Sequence, residues 1–278
     1  MSGAAIATVD VAAPELYFPQ EGFGALYRRR VLNELLVRLV DEVGAETVAE
    51  VPLDEYGVAG AGSLIFGVLG CETTLVSSSE GLLERAARTW RERIAAEPRL
   101  LCVRPCDLPD PKATFDLSWS FDRLQAEPAR EEVLAQQARV SRHVLIIVPN
   151  AWNYGQPWHW LYHKVCRSRC DFVGPRRWLA LRPVAQALEA NGMEIMRRGL
   201  IDVPWWPGFP EAPALARRLM RPWAAPPKPD LTNLGVDADQ ITALLRKAER
   251  ATFIERSRVP QPLRALFAHN LYVLARQA

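Results

Sequence analysis

The sequence predicts an α/β protein built on a doubly wound, mostly parallel sheet. Short strand-like apolar runs alternate with helical runs over the first 150 residues, and strand–helix–strand units imply parallel pairing with right-handed crossovers. The composition, 49% apolar and 24% charged, is that of an ordinary globular chain and excludes collagen, coiled-coil and disordered classes. At 278 residues the chain is near the upper limit for one hydrophobic core, so one large domain carrying an insertion is expected.

Leu26 to Val43 has apolar residues at helical spacing, with Arg28, Arg29 and Arg30 on the other face. Thr47 to Val51 is a short buried strand, followed by the Gly-rich stretch Asp54 to Gly62 and a helix over Ser63 to Leu69. Glu72 to Val76 is the second strand, and Ser79 to Ala96 is a helix opened by a serine cap. Leu100 to Val103 and Phe115 to Ser120 are the third and fourth strands, Ala129 to Ala138 a helix and Val144 to Val148 the fifth strand. Beyond Pro149, helices are expected over Trp158 to Cys170 and Pro183 to Ala190, and a strand over Glu194 to Val203. Pro204 to Pro229 is too dense in proline for regular structure. Asp237 to Thr252 is a helix whose Asp237 and Gln240 match a capping box, and Phe267 to Arg276 is a closing strand.

The longest charge-free stretch, Val144 to His163, is broken by Pro149, Asn150, Gly155 and Pro157, so no membrane span is expected. Nothing near Met1 reads as an export signal, and five cysteines fit a reducing cytoplasm better than a disulfide framework. The formal charge of +2 hides an asymmetry. Residues 1–157 carry 15 Lys+Arg against 22 Asp+Glu, whereas residues 158–223 carry 11 against 5 and hold six of the nine tryptophans. Such a basic, aromatic surface suits an anionic ligand, nucleic acid or a partner, unless the tryptophans are core and Arg is simply the preferred surface cation.

A strand running into a glycine-rich turn and a helix is where α/β folds hold nucleotides, because glycines admit the ligand to the backbone and the helix start offers free N–H groups. Here the strand ends at Glu50, and the turn supplies Gly57, Gly60 and Gly62. The spacing is not the dinucleotide G-x-G-x-x-G. The order of features from Leu26 to about Asn150 resembles the class I S-adenosylmethionine-dependent methyltransferases. By that resemblance, Glu50, Asp54, Gly57, Gly60 and Gly62 form the loop that cradles the methionine part of the cofactor. Ser77 or Ser78 stands where the family places an acid for the ribose hydroxyls, Asp107 of the Cys106–Pro109 segment receives the adenine amino group, and Trp119, on the strand leading to the substrate mouth, is expected among the cofactor-binding residues. The resemblance further implies a Rossmann-like sheet of seven strands, closed by an antiparallel sixth and seventh pair in which the last strand is reversed. A methyltransferase-like domain then covers 1–203 and 267–278, with 204–266 inserted as a lid or interface bearing Trp205, Trp206, Phe209 and Trp223. A serine in place of the ribose acid loses a charge-assisted hydrogen bond, about 1–2 kcal/mol or roughly tenfold in affinity.

Methyl transfer needs little from the protein beyond placement and exclusion of water, with a base where the acceptor carries a proton. Asn150, Tyr154, His159 and His163 follow the fifth strand and are the expected acceptor-side residues; His159 or His163 is the candidate base, with Tyr154 beside them. His159, His163, Cys166 and Cys170 share one helical stripe, but the first and last stand roughly 16 Å apart, too far for one ion, and no metal is expected. The leading expectation is a methyltransferase for a small or medium acceptor. The alternative is a non-catalytic subunit that docks a protein partner through its basic, Trp-rich segment, with homo-oligomers also possible. The absence of an N/D-P-P-Y or S-P-P-Y sequence and the modest basic patch argue against a nucleic-acid substrate.

Overall fold

The computed structural model describes residues 10–54, 57–109, 115–157, 161, 176–204 and 238–278. Seven strands form one sheet: β1 (Thr47–Glu50), β2 (Glu72–Ser77), β3 (Arg99–Cys102), β4 (Phe115–Phe121), β5 (Ser141–Pro149), β6 (Met193–Ile201) and β7 (Asn270–Gln277). Their order is β3-β2-β1-β4-β5-β7-β6. β1 to β5 pair in parallel, and β7 runs antiparallel to both β5 and β6, so β7 alone is reversed. The chain winds outward from β1 to β3 and returns at β4, which places the switch point between β1 and β4.

Strand side chains alternate between two cores with a period of two. Val48, Leu75, Leu117, Trp119, Leu145 and Ile147 face one core, while Ala49, Val76, Val144, Ile146 and Val148 face the other. The first core is covered by α1 (Phe23–Val43), α2 (Leu64–Val68) and α3 (Glu80–Ile94), and the second by α4 (Arg130–Val140) and α5 (Leu181–Ala190). α1 ends at Gly44 in the left-handed region, whose N–H returns to the Val40 carbonyl. α3 is capped as expected: the Ser79 hydroxyl accepts from the Leu82 N–H at 3.3 Å. Arg93 of α3 donates to the carbonyls of Pro14, Glu15 and Tyr17 and stacks on Phe18, which ties residues 14–18 to the helix.

Several expected boundaries move. β5 starts at Ser141 because α4 runs directly into it and Phe115 pairs with Ser141. β6 covers Met193–Ile201 and shifts register between Ile195 and Arg197, as a bulge on an edge strand does. β7 starts at Asn270, since Phe267 belongs to a short helix, α7 (Gln261–Phe267), that periodicity does not reveal. The helix expected over Asp237 to Thr252 is α6 (Ala238–Ala251). It lays Ile241, Leu245, Ala248 and Ala251 into the core beside α1, and Glu249 bonds Arg30 there. This part of the 204–266 segment is therefore built into the first core; Trp205, Trp206, Phe209 and Trp223 lie outside the described residues. Among the described residues no helix is long and apolar enough to cross a membrane.

Candidate functional site

Doubly wound sheets bind ligands beyond the carboxyl ends of their strands, beside the switch point. One half of that edge is made by β1 and the loop after it. Glu50 ends β1, fully buried, and both its oxygens are occupied. Oε1 accepts from the Asp54 N–H at 3.0 Å, and Oε2 accepts from the Ser63 hydroxyl at 2.5 Å. Ser63 Oγ in turn accepts from the Trp119 indole N–H at 3.1 Å. Burial raises the Glu50 carboxyl to about 7, because losing water outweighs the two hydrogen bonds that favour its charge. The Trp119–Ser63–Glu50 chain thus fixes the shape of the loop from both ends.

The glycines serve this shape. Gly60 has φ +72°, and a Cβ there would stand 2.8 Å from the Ala86 Cβ and 3.2 Å from the Trp90 Nε1. Trp90 also donates to the Gly60 carbonyl at 3.0 Å. A Cβ on Gly62 would meet the Trp119 ring at 3.2 Å. At Gly57, φ +73°, the close neighbour is Glu21, whose Oε1 accepts from the Val58 N–H at 3.1 Å. Packing against the protein's own side chains accounts for these glycines. Ser77 is buried and its hydroxyl accepts from the Ser79 N–H, Ser78 is exposed, and Asp107 sits beyond β3 in an ion pair with Arg104 at 2.5 Å.

The other half is charged. Asp122 follows β4 with φ +49°, and Asp202 follows β6 with φ +59°, both in the left-handed region where residues other than glycine are uncommon. Asp122 Oδ1 accepts from the Asn270 side chain at 2.5 Å, and its backbone carbonyl accepts from Gln125 at 2.7 Å. Burial pushes its carboxyl up to about 7, although the Arg28 guanidinium and the Asn270 amide favour the charge. Asp202 holds His269, Nδ1 to Oδ2 at 3.0 Å. Arg28, half-buried on α1, lies over the Phe121 ring at 5.5 Å. Burial works against its charge, but Asp202, Asp122 and Asp54 more than offset this and hold it firmly protonated. Nearby, Glu255 accepts from the Val203 N–H at 2.8 Å and from the Tyr27 hydroxyl at 3.2 Å, and burial lifts it to about 7.

No protein-family model matches the chain, and no curated protein matches it. Solved structures do. A putative sarcosine dimethylglycine methyltransferase from Galdieria sulphuraria superposes with a TM-score of 0.52 at 13% identity, over 88% of this chain and 84% of that one. Magnesium protoporphyrin IX methyltransferase from Synechocystis PCC 6803, with SAH bound, gives 0.51 at 12% identity, over 92% and 84%. Strand order, the reversed β7 and these superpositions agree. The chain has the class I methyltransferase fold.

Within the methyltransferase fold, Glu50, Asp54, Gly57, Gly60 and Gly62 gather at the end of β1, and Ser78 and Asp107 follow the next two strands. Trp119 belongs beneath them: its ring is fully buried and acts on the loop through Ser63. Asn150 does not line the acceptor side. It is wholly buried, and its amide donates to the carbonyls of Ala265 and Ala268, joining the loop after β5 to the turn between α7 and β7. Tyr154 is exposed and packs edge-on against Phe267 of α7. His159 and His163 lie outside the described residues, as does most of the helix expected over Trp158 to Cys170. The Arg28, Asp122, Asp202, His269 and Asn270 group was not found from the sequence. Its one local signal is that Asp122 stands just past the expected end of the fourth strand.

Proposed function

We propose that this protein transfers a methyl group from S-adenosylmethionine to a small or medium acceptor. The observation that carries the reading is the loop held by Glu50 at the switch point, flanked by acceptor groups. Asp54, Ser78 and Asp107 suit a ligand that presents an ammonium, ribose hydroxyls and an amino group. The cofactor, when bound, supplies an already activated methyl group. Glu50 and Ser63 set the loop geometry, Gly57 and Gly60 permit its turns, and Trp119 supports it from below. Asp54 would receive the ammonium, Ser78 a ribose hydroxyl and Asp107 the adenine amino group. Tyr154, His159 and His163 belong to the acceptor side in this reading, and the part of residues 204–266 that is not packed into the first core belongs to its cover or to an interface between copies. The protein acts in the cytoplasm.

Calorimetric titration with S-adenosylmethionine and with S-adenosylhomocysteine tests this. Saturable heat and a thermal shift are expected. The absence of both at millimolar ligand would overturn it. The hydroxyl-bearing end of β2, where the family has an acid, favours the second reading, a non-catalytic subunit that docks a protein partner. In that case a Trp205→Ala/Trp206→Ala variant loses the partner or changes oligomeric mass.

A further inference from the structure

Among the carboxylates of the described carboxyl edge, Glu50 has both oxygens bonded, and Asp202 bonds His269 through Oδ2 alone but is only 4% exposed. Asp122 is more open. Its Oδ1 is held by Asn270, while Oδ2 has no partner among the described residues, and the residue is half-buried. Its backbone is fixed in the left-handed region by the Asp122 N–H to Ile147 carbonyl bond of 3.0 Å and by Gln125. Strained non-glycine residues held in this way concentrate where a side chain must be aimed. Asp122 also lies within electrostatic reach of Asp54 on the cofactor-side loop. It therefore faces the junction of the two halves.

Resting on the methyl-transfer reading, we propose that Asp122 is the catalytic base, taking a proton from an amine that is the methyl acceptor. The N–H bond breaks with its electron pair left on nitrogen, and the proton forms an O–H bond on Asp122 Oδ2. The freed lone pair is the nucleophile, and the proton passes to solvent once the product has left. An amine fits the surroundings better than an acid does. The groups facing Asp122 are Arg28 from α1, Asp54 from the β1–α2 loop, Asp202 after β6 and the neutral Asn270 of β7. Three carboxylates against one guanidinium repel an anionic acceptor and accept a protonated amine. A carboxylate acceptor would also need no base. A base that titrates close to neutral pH, as this burial provides, is well matched to the task.

The test uses the full chain with carbon-13 in its aspartate carboxyls, Asp122 being assigned by the signal lost in Asp122→Asn. A titration midpoint near 7 is expected, rising further in Arg28→Met; a midpoint below about 5 overturns the proposal. In parallel, a library of primary and secondary amines, with alcohols and carboxylates of matched shape, is offered with methyl-labelled cofactor. Methylation of amines alone is expected, rising about tenfold per pH unit up to about 7 and then levelling. In Asp122→Asn the rate should fall at least 100-fold and lose this pH dependence, with S-adenosylhomocysteine affinity unchanged. Labelled alcohols or carboxylates, no labelled amine despite cofactor binding, or full activity in Asp122→Asn would each overturn it. Failure of S-adenosylhomocysteine to bind wild type refutes the methyl-transfer reading instead, a result that the binding curve separates from the others.

Discussion

The two halves of the carboxyl edge each bury a carboxyl that titrates near 7, and they put it to opposite use. Glu50 is enclosed by the loop it organises, with both oxygens accepting from its own chain. Asp122 is held by one oxygen on a strained backbone and faces a guanidinium with which no direct bond is formed. A shifted titration alone does not separate scaffold from chemistry.

The largest effect expected at the scaffold end comes from Trp119→Ala. It empties a fully buried ring site and removes the donor to Ser63, and should lower stability by about 3–5 kcal/mol in chemical denaturation. A loss under 1 kcal/mol would mean the ring does not support the loop. At the charged end, the Glu255 carboxyl rises from 4.5 to about 7 on folding. Between those pH values the folded protein keeps a proton that the unfolded chain has released, so this contribution to stability falls as pH rises and is gone above about 7. Glu255→Gln should therefore flatten the decline in stability across that window by about 1–3 kcal/mol, read from denaturation midpoints at successive pH values. An unchanged slope would show that Glu255 keeps its charge in the fold. The smallest effect is expected from Asp107→Asn, the exposed residue that the proposed reading pairs with the adenine amino group. The melting temperature should not change, and S-adenosylhomocysteine affinity should fall about tenfold by calorimetry. A lower melting temperature would make Asp107 part of the scaffold.

The centre of the sheet was legible because strands such as Val144 to Val148 are apolar runs, with helical periods between them. The loop after β1 was legible because Glu50, Gly57, Gly60 and Gly62 are close in sequence, although the contacts that require those glycines, with Ala86, Trp119 and Glu21, are not. The charged half was illegible for the same reason on a larger scale. Positions 28, 122, 202 and 270 meet only when β4, β6 and β7 are placed, and nothing local signals the left-handed backbone of Asp122 and Asp202. Asn150 misled because a polar residue after a strand reads as a lining residue, whereas here its buried amide donates to the Ala265 and Ala268 carbonyls. α7 has only seven residues, too few to display a helical period.

The place of β7 has a consequence for the order of assembly. It lies between β5 and β6, so a chain emerging during synthesis cannot seat β6 against the sheet until residues 270–277 are available. Asn270, which aims Asp122, arrives with that same strand. Pairings between such distant segments form late and slowly, because the intervening loop must be closed first. The sheet and the charged half of the site are thus completed in one event.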